Sequence, residues 1–141
     1  MSGQNKQVAL QFMEAMGTSD PETAARLLDP EVVAVAKGFS KLAGTRGYDA
    51  IVGAIAGFQR VMPSGLRPKI HEVVAEGDHV VVEWEGDAVT SEGGRYCNQY
   101  CMVFTLKDGR ITRIHEYFCG LHTNEVLWPV VEKMLDAIPA G

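Results

Sequence analysis

Two rhythms of apolar positions divide the chain. Up to Met62 hydrophobic side chains return every three or four positions, and from Arg67 onward they alternate. Val8, Ala9, Phe12, Met13 and Met16 keep helical spacing, which predicts an amphipathic helix over residues 5–16 that Gly17 stops. Ser19-Asp20-Pro21-Glu22 has the form of a capping box with proline placed for a first turn. A short second helix therefore follows to about Leu28 and ends before Pro30. Val32 to Ala36 reads as a short strand and Lys37 to Arg46 as a loop. Gly47 leads into a third helix with Tyr48, Ile51, Val52, Ile55, Phe58 and Met62 on one stripe and Pro63 as its stop.

In the alternating part, breakers at Gly77-Asp78, Glu92-Gly93-Gly94 and Asp108-Gly109 mark four strands near 67–76, 79–90, 95–106 and 110–119. The turns between them are short, so neighbours are antiparallel. A last amphipathic stretch, Val126, Leu127, Val130, Val131, Met134, Leu135 and Ile138, predicts a C-terminal helix whose start Pro129 leaves open. Helices followed by strands predict an α+β fold, with helices on one face of a curled antiparallel sheet that encloses space against them. The strands from 79 to 119 exceed the usual length of about five or six residues, so they must twist and bend.

The 141 residues fit one domain, 1–141, with a core that needs no metal or disulfide. A net charge of −5 argues against nucleic acid or an anionic membrane as partner and for a small neutral molecule. No apolar run approaches a membrane span and the N-terminus lacks a secretory signal, so the cytoplasm is expected. Three cysteines without CxxC spacing predict reduced thiols. His71, His79, His115 and His122 do not pair at i, i+4 on a helix, and neither metal nor cofactor is expected.

The stretch GRITRIHEYFC, Gly109 to Cys119, sets one acid, Glu116, among Ile111, Ile114, Tyr117 and Phe118. Its face depends on the hairpin register, because a slip of one residue turns every side chain over. A two-residue turn at Asp108-Gly109 pairs Leu106 with Ile111 and puts Glu116 with Gln99 and Cys101. A three-residue loop pairs Leu106 with Arg110 and sets Glu116 against Tyr100. Asn98, Tyr100, Met102, Phe104, Ile114, Glu116 and Phe118 then share one face. Cys97, Gln99, Cys101, Val103, Arg113, His115, Tyr117 and Cys119 share the other, which suits a subunit interface. That register also opposes Cys97 to Cys119 and sets Cys101 beside His115, where packing is the expected role.

The run GRITRIHEYF, the preceding MVFTLKDG and the upstream LAGTRGYDAIVGAIAGFQRVM resemble the nuclear transport factor 2-like superfamily. Within it the chain is most similar to SnoaL-like proteins and, more distantly, to limonene epoxide hydrolases. The resemblance spans about residues 5 to 130. It implies a cone-shaped roll, a curved antiparallel sheet wrapped on N-terminal helices around an apolar pocket, and a homodimer through the outer sheet face. It also favours the three-residue turn, so that Glu116 looks into the pocket, where the hydrolases carry the acid of an RDYF-like run.

Those hydrolases pair an arginine and an aspartate two apart on an earlier strand, and here the matching positions hold Trp84 and Gly86. The family's loop tyrosine and asparagine fall on Lys37 and Phe39, which match them poorly. Glu116 with Tyr100 and Asn98 is thus the expected catalytic group. The carboxyl acts as a base whose pKa burial raises, and the other two donate hydrogen bonds to a developing enolate oxygen. The resemblance implies isomerase or cyclase chemistry on a small apolar substrate. The alternatives are a non-catalytic binder of a lipophilic metabolite, in which Tyr100 and Asn98 simply hold Glu116 by hydrogen bonds, an epoxide hydrolase with an altered polar cluster, and a dimeric interaction module. Expected ligand contacts are Trp84, Phe12, Met16, Phe39, Phe58, Met62, Met102 and Phe118.

Overall fold

The computed structural model describes residues 2–136, the side chain of Ser2 excepted. The expected helical position Ile138 lies outside them. Helix α1 (Ser2–Gly17) buries Val8, Ala9, Phe12, Met13 and Met16, the predicted stripe. Helix α2 (Pro21–Leu27) is capped by Asp20 rather than Ser19: the Thr23 N–H donates to Asp20 Oδ1 at 3.2 Å. Ser19 is taken from that role because its backbone is left-handed, φ 56°, and its hydroxyl donates to the Ile55 carbonyl at 2.6 Å. Helix α3 (Tyr48–Val61) starts after Gly47 as expected and buries Ile51, Ile55 and Val61.

Strands β1 (Leu28–Ala36), β2 (Gly44–Arg46), β3 (Lys69–Glu76), β4 (His79–Glu85), β7 (Gln99–Lys107) and β8 (Arg110–Phe118) form one sheet in the order β2-β1-β8-β7-β4-β3. The segment expected as a loop to Arg46 therefore contributes an edge strand, β2, antiparallel to β1. The sheet is antiparallel throughout except where β1 runs parallel to β8. The helices cover one face, and Phe12 meets Phe104 edge to face at 5.9 Å in the core between them.

The two longest predicted strands break. Residues 79–90 divide into β4 and β5 (Ala88–Val89), and 95–106 into β6 (Arg95–Tyr96) and β7, with β5 and β6 forming a separate small hairpin. Backbone groups at the breaks find partners off the ladder. The Asp87 N–H donates to the Leu66 carbonyl at 2.9 Å, and the Asn98 side-chain oxygen accepts from Gln99 N at 2.8 Å and Cys119 N at 3.3 Å. Beyond β8 come a single turn, α4 (Gly120–His122), a π-helical turn (Thr123–Leu127) and α5 (Trp128–Asp136). Pro129 is the second residue of α5 and follows directly on the π-helical turn, so the helical backbone continues through it.

The hairpin between β7 and β8 corrects the expected register. Asp108 and Gly109 form the two-residue turn, φ 52° and 79°, and Leu106 pairs with Ile111, not Arg110. Thr112 is then an extra residue: beyond it Thr105 pairs with Arg113, and its hydroxyl donates to the Thr105 carbonyl at 3.1 Å. This bulge turns the remainder of β8 over by one residue. Glu116 consequently opposes Met102 instead of Tyr100, yet shares the inner face with Tyr100, Ile114 and Phe118. Cys97 and Cys119 do not oppose each other, since the ladder ends at Tyr100 and Phe118.

Candidate functional site

A hollow of about 490 Å³ lies between the inner sheet face and α1, α3 and α5. That volume suits a small organic molecule. Its wall carries Phe12 and Met16 from α1, Phe58 from α3, Tyr100 and Met102 from β7, Glu116 and Phe118 from β8, and Val131 and Met134 from α5. Five of the eight expected ligand contacts line it, Phe12, Met16, Phe58, Met102 and Phe118, with Tyr100 from the expected catalytic group beside them. Met62 instead lines a second, larger hollow of about 590 Å³ between α1, the end of α3 and the start of β3. The first hollow is taken as the site because it holds Glu116, whose surroundings are the more suited to chemistry.

Glu116 reaches this wall because β8 is inward-facing there and β1 shields it from the far side, with Ala36 as its neighbour on that strand. No described residue donates a hydrogen bond to its carboxylate. Its oxygens are not sealed in protein either, since the one buried side-chain polar atom without a partner among the described residues is Trp84 Nε1. The carboxyl therefore looks into the hollow. Burial raises its pKa from the ordinary 4.5 to about 7, and the nearby Arg46 guanidinium offsets this in part. The side chain counts as only half-buried by accessible area because the wall of a hollow counts as surface.

Tyr100 stands one pair further along the ladder, a diagonal neighbour at roughly 7–8 Å in a regular sheet. Burial first, then Tyr96 and the Glu116 charge, push its phenol well above the usual range, so it remains a donor. Asn98 does not join them. Its amide nitrogen lies 2.9 Å from Tyr96 Oη, 3.0 Å from Thr123 Oγ1 and 3.1 Å from the Cys119 carbonyl, and its oxygen is occupied by the two backbone N–H groups at the strand break. Asn98 thus ties the broken strand to the π-helical turn. The hydrogen bonds from Asn98 and Tyr100 that would have pinned Glu116 are not made.

Trp84 is also withdrawn from the expected ligand contacts. It lies 2% exposed behind the wall and stacks on Tyr100, ring centroids 4.0 Å apart and planes 7° from parallel, which fixes the tyrosine ring. Phe39 is wholly exposed in the bend between β1 and β2, away from the hollow. A loop without alternation carries no facing signal, so the sequence around Phe39 does not fix where its ring points. Asp87 faces outward, bound to Arg67 at 3.2 Å and to the Cys97 thiol at 3.0 Å.

Tyr96 and Arg46 are among the wall residues that were not anticipated. Tyr96, 2% exposed, lies against His122 at 5.1 Å between ring centroids. Arg46 sits opposite Ala34, which pairs in turn with Ile114, so its register places it on the inner face at the sheet edge. Three residues of β2 show no alternation, and only the non-local pairing with β1 reveals the orientation.

Comparison with known proteins agrees with this architecture. The profile of the SnoaL-like domain matches residues 9–114. A curated relative, epoxide hydrolase EphG of Mycobacterium tuberculosis, is 33% identical over 107 residues, covering 76% of this chain and 68% of that protein. Among solved structures, an M. tuberculosis LEH-like epoxide hydrolase superposes with a TM-score of 0.72 at 21% identity, covering 97% of this chain and 98% of the other. TerC co-crystallized with polyporic acid gives 0.75 at 24% identity, covering 89% and 98%. At these identities the two structures speak for the fold alone.

Proposed function

Because this chain belongs to the SnoaL-like domain family, whose fold encloses a small-molecule hollow, we propose that it is an enzyme in which Glu116 moves a proton on a small, largely apolar carbonyl compound. The observation that carries the reading is a carboxyl without a hydrogen-bond partner among the described residues, facing an apolar hollow, with a pKa of about 7. A base poised near neutrality combines sufficient ionised fraction with proton affinity. The carboxylate takes a proton from the carbon beside the carbonyl, and the electron pair of that C–H bond moves onto the carbonyl oxygen. Tyr100 donates a hydrogen bond to the resulting enolate. Return of the proton to a different carbon completes an isomerisation.

Proton–deuterium exchange into a small cyclic ketone, followed by NMR in D2O, tests this. The wild-type rate rises with pH through about 7 and then levels. Glu116→Gln lowers it by roughly 10²–10⁴-fold. Exchange that is indifferent to this substitution overturns the reading.

A second reading, epoxide opening, is favoured by the 33% identity to EphG. Here protonated Glu116 serves as the acid, and diol formation from a cyclic epoxide falls as pH rises through 7. It is the weaker of the two. Trp84 and Gly86 stand where the resemblance implies the arginine and second acid, and Asp87 faces away.

The proposal extends to a homodimer. The outer sheet face presents Val33, Val74, Val103 and Tyr117, of which Val33, Val74 and Tyr117 are 40–53% exposed, a patch that a second copy would cover. Sedimentation at micromolar concentration yields the mass of two chains; a monomer overturns it.

A further inference from the structure

The walls of the hollow carry three charged residues, Arg46, Arg60 and Glu116. The chain as a whole has the opposite balance, 18 acidic against 13 basic residues. Cations thus outnumber acids two to one on this wall, against the balance of the whole chain. Arg46 is half-buried and Arg60 exposed, which sets the first within the hollow and the second at its rim. Neither forms an ion pair among the described residues; Arg46 spends one hydrogen bond, 2.9 Å, on the Leu42 carbonyl. Glu116 is the acid among the wall residues, but burial outweighs the attraction of Arg46 and leaves the carboxyl half-protonated at neutrality. A guanidinium in a partly dry cavity with so incomplete a counterion favours a guest that brings its own negative charge.

We infer that the molecule this hollow takes is an amphipathic acid: an apolar ring or short chain against Phe12, Phe58, Met102 and Phe118, with its carboxylate held by Arg46 and attracted by Arg60. The inference rests on the hollow being the functional site and adds the class of its substrate. The planar fork of Arg46 matches a carboxylate by two parallel N–H···O bonds. A guest so held lies with one end at the sheet edge and its body along β8, beside Glu116. A carbonyl carbon in that body is then presented to the base by a contact remote from the reacting atoms.

The experiment uses two probes with one body, 1-naphthylacetate and its neutral amide, titrated calorimetrically into the full chain at pH 6.5. The acid binds at least tenfold tighter than the amide. Arg46→Gln removes that preference and leaves amide affinity unchanged, and Arg46→Lys restores part of it. The preference also shrinks between pH 6 and 8, as Glu116 ionises and competes for Arg46. The other charged or titratable groups on the wall are Arg60 of α3, Tyr96 and Tyr100, the last held well above its usual range by burial, while the α1 and α5 wall residues, Phe12, Met16, Val131, Met134 and Leu135, carry no charge. Equal binding of acid and amide overturns the inference and leaves the site reading standing. Equal weakening of both by Arg46→Gln overturns it too, as a structural role for the arginine. Binding of neither probe overturns the site reading together with the inference.

Discussion

Glu116 and Asp87 are the two carboxylates that the chain places on opposite sides of its broken sheet, and they differ in every respect that matters chemically. Glu116 looks into an apolar hollow with no hydrogen-bond donor among the described residues, and its pKa rises to about 7. Asp87 lies at the strand break on the outside, accepts from the Cys97 thiol, pairs with Arg67 and lies 3.5 Å from Arg95, and its pKa is lowered, chiefly by the Cys97 hydrogen bond. One side chain is short of partners and the other saturated with them. The comparison teaches that an acid becomes a candidate for chemistry by what its neighbours withhold. Asp87 has the more charged surroundings, yet its proton affinity is too low and its lone pairs too committed for it to serve as a base near neutrality.

The two acids should therefore push stability in opposite directions as pH changes, and the larger effect belongs to Glu116. Its folded pKa lies above the unfolded value, so between 4.5 and about 7 the folded chain holds the extra proton. Stability contributed by the protonated group is present below 4.5 and lost as pH rises through 7. Glu116→Gln abolishes that loss. The variant should match the wild type near pH 4.5 and exceed it by about 1–2 kcal/mol at pH 8, given about 1.4 kcal/mol for each pH unit and some relief from water in the hollow. Urea unfolding across that range checks it. A difference that stays flat with pH would mean that the carboxyl is as well solvated folded as unfolded, and the contrast with Asp87 would fail.

How far this contrast was legible from the sequence turns on the β7–β8 hairpin. Alternation located both strands and the type I′ signal Asp-Gly located the turn, but the facing of Glu116 depended on a bulge. The clue was present: Ile111 and Ile114, both buried, stand three apart, and a regular strand cannot point two such residues the same way. One extra residue between them, Thr112, reconciles both with the core. The expected inward facing of Glu116 was thus right while the expected turn was wrong, because two compensating one-residue differences restore the parity. Helices α1 and α3 were legible because apolar stripes are local. Asn98 and Arg46 were not, because their roles are decided by partners far along the chain, Cys119 and Thr123 for the one and β1 for the other. Trp84 was read correctly as inward-facing but not as covered, since stacking on Tyr100 is a matter of depth, which alternation does not encode.

The smaller effect, and the sharper test of the comparison, comes from Asp87→Asn. Asp87 has a folded pKa below its ordinary 3.8, so its contribution to stability is present above that value and lost as pH falls through the folded pKa. The substitution should destabilise the chain at neutral pH by less than Glu116→Gln stabilises it, because both guanidiniums around Asp87 are more than half exposed and solvent screens the pairs. The difference from wild type should fade as pH falls through the lowered folded pKa and shrink in 1 M salt, where the screening length is about 3 Å, while the effect at Glu116 persists in salt. A second readout separates electrostatics from shape. The Cys97 thiol is held up chiefly by its hydrogen bond to the Asp87 carboxylate, and a neutral amide in its place lets the thiol ionise more readily beside Arg95. Alkylation of Cys97 by iodoacetamide should accordingly quicken several-fold in Asp87→Asn and stay unchanged in Glu116→Gln. An Asp87→Asn chain that gained stability relative to the wild type as pH rose, or whose Cys97 slowed, would show that the outer acid is as starved of partners as the inner one.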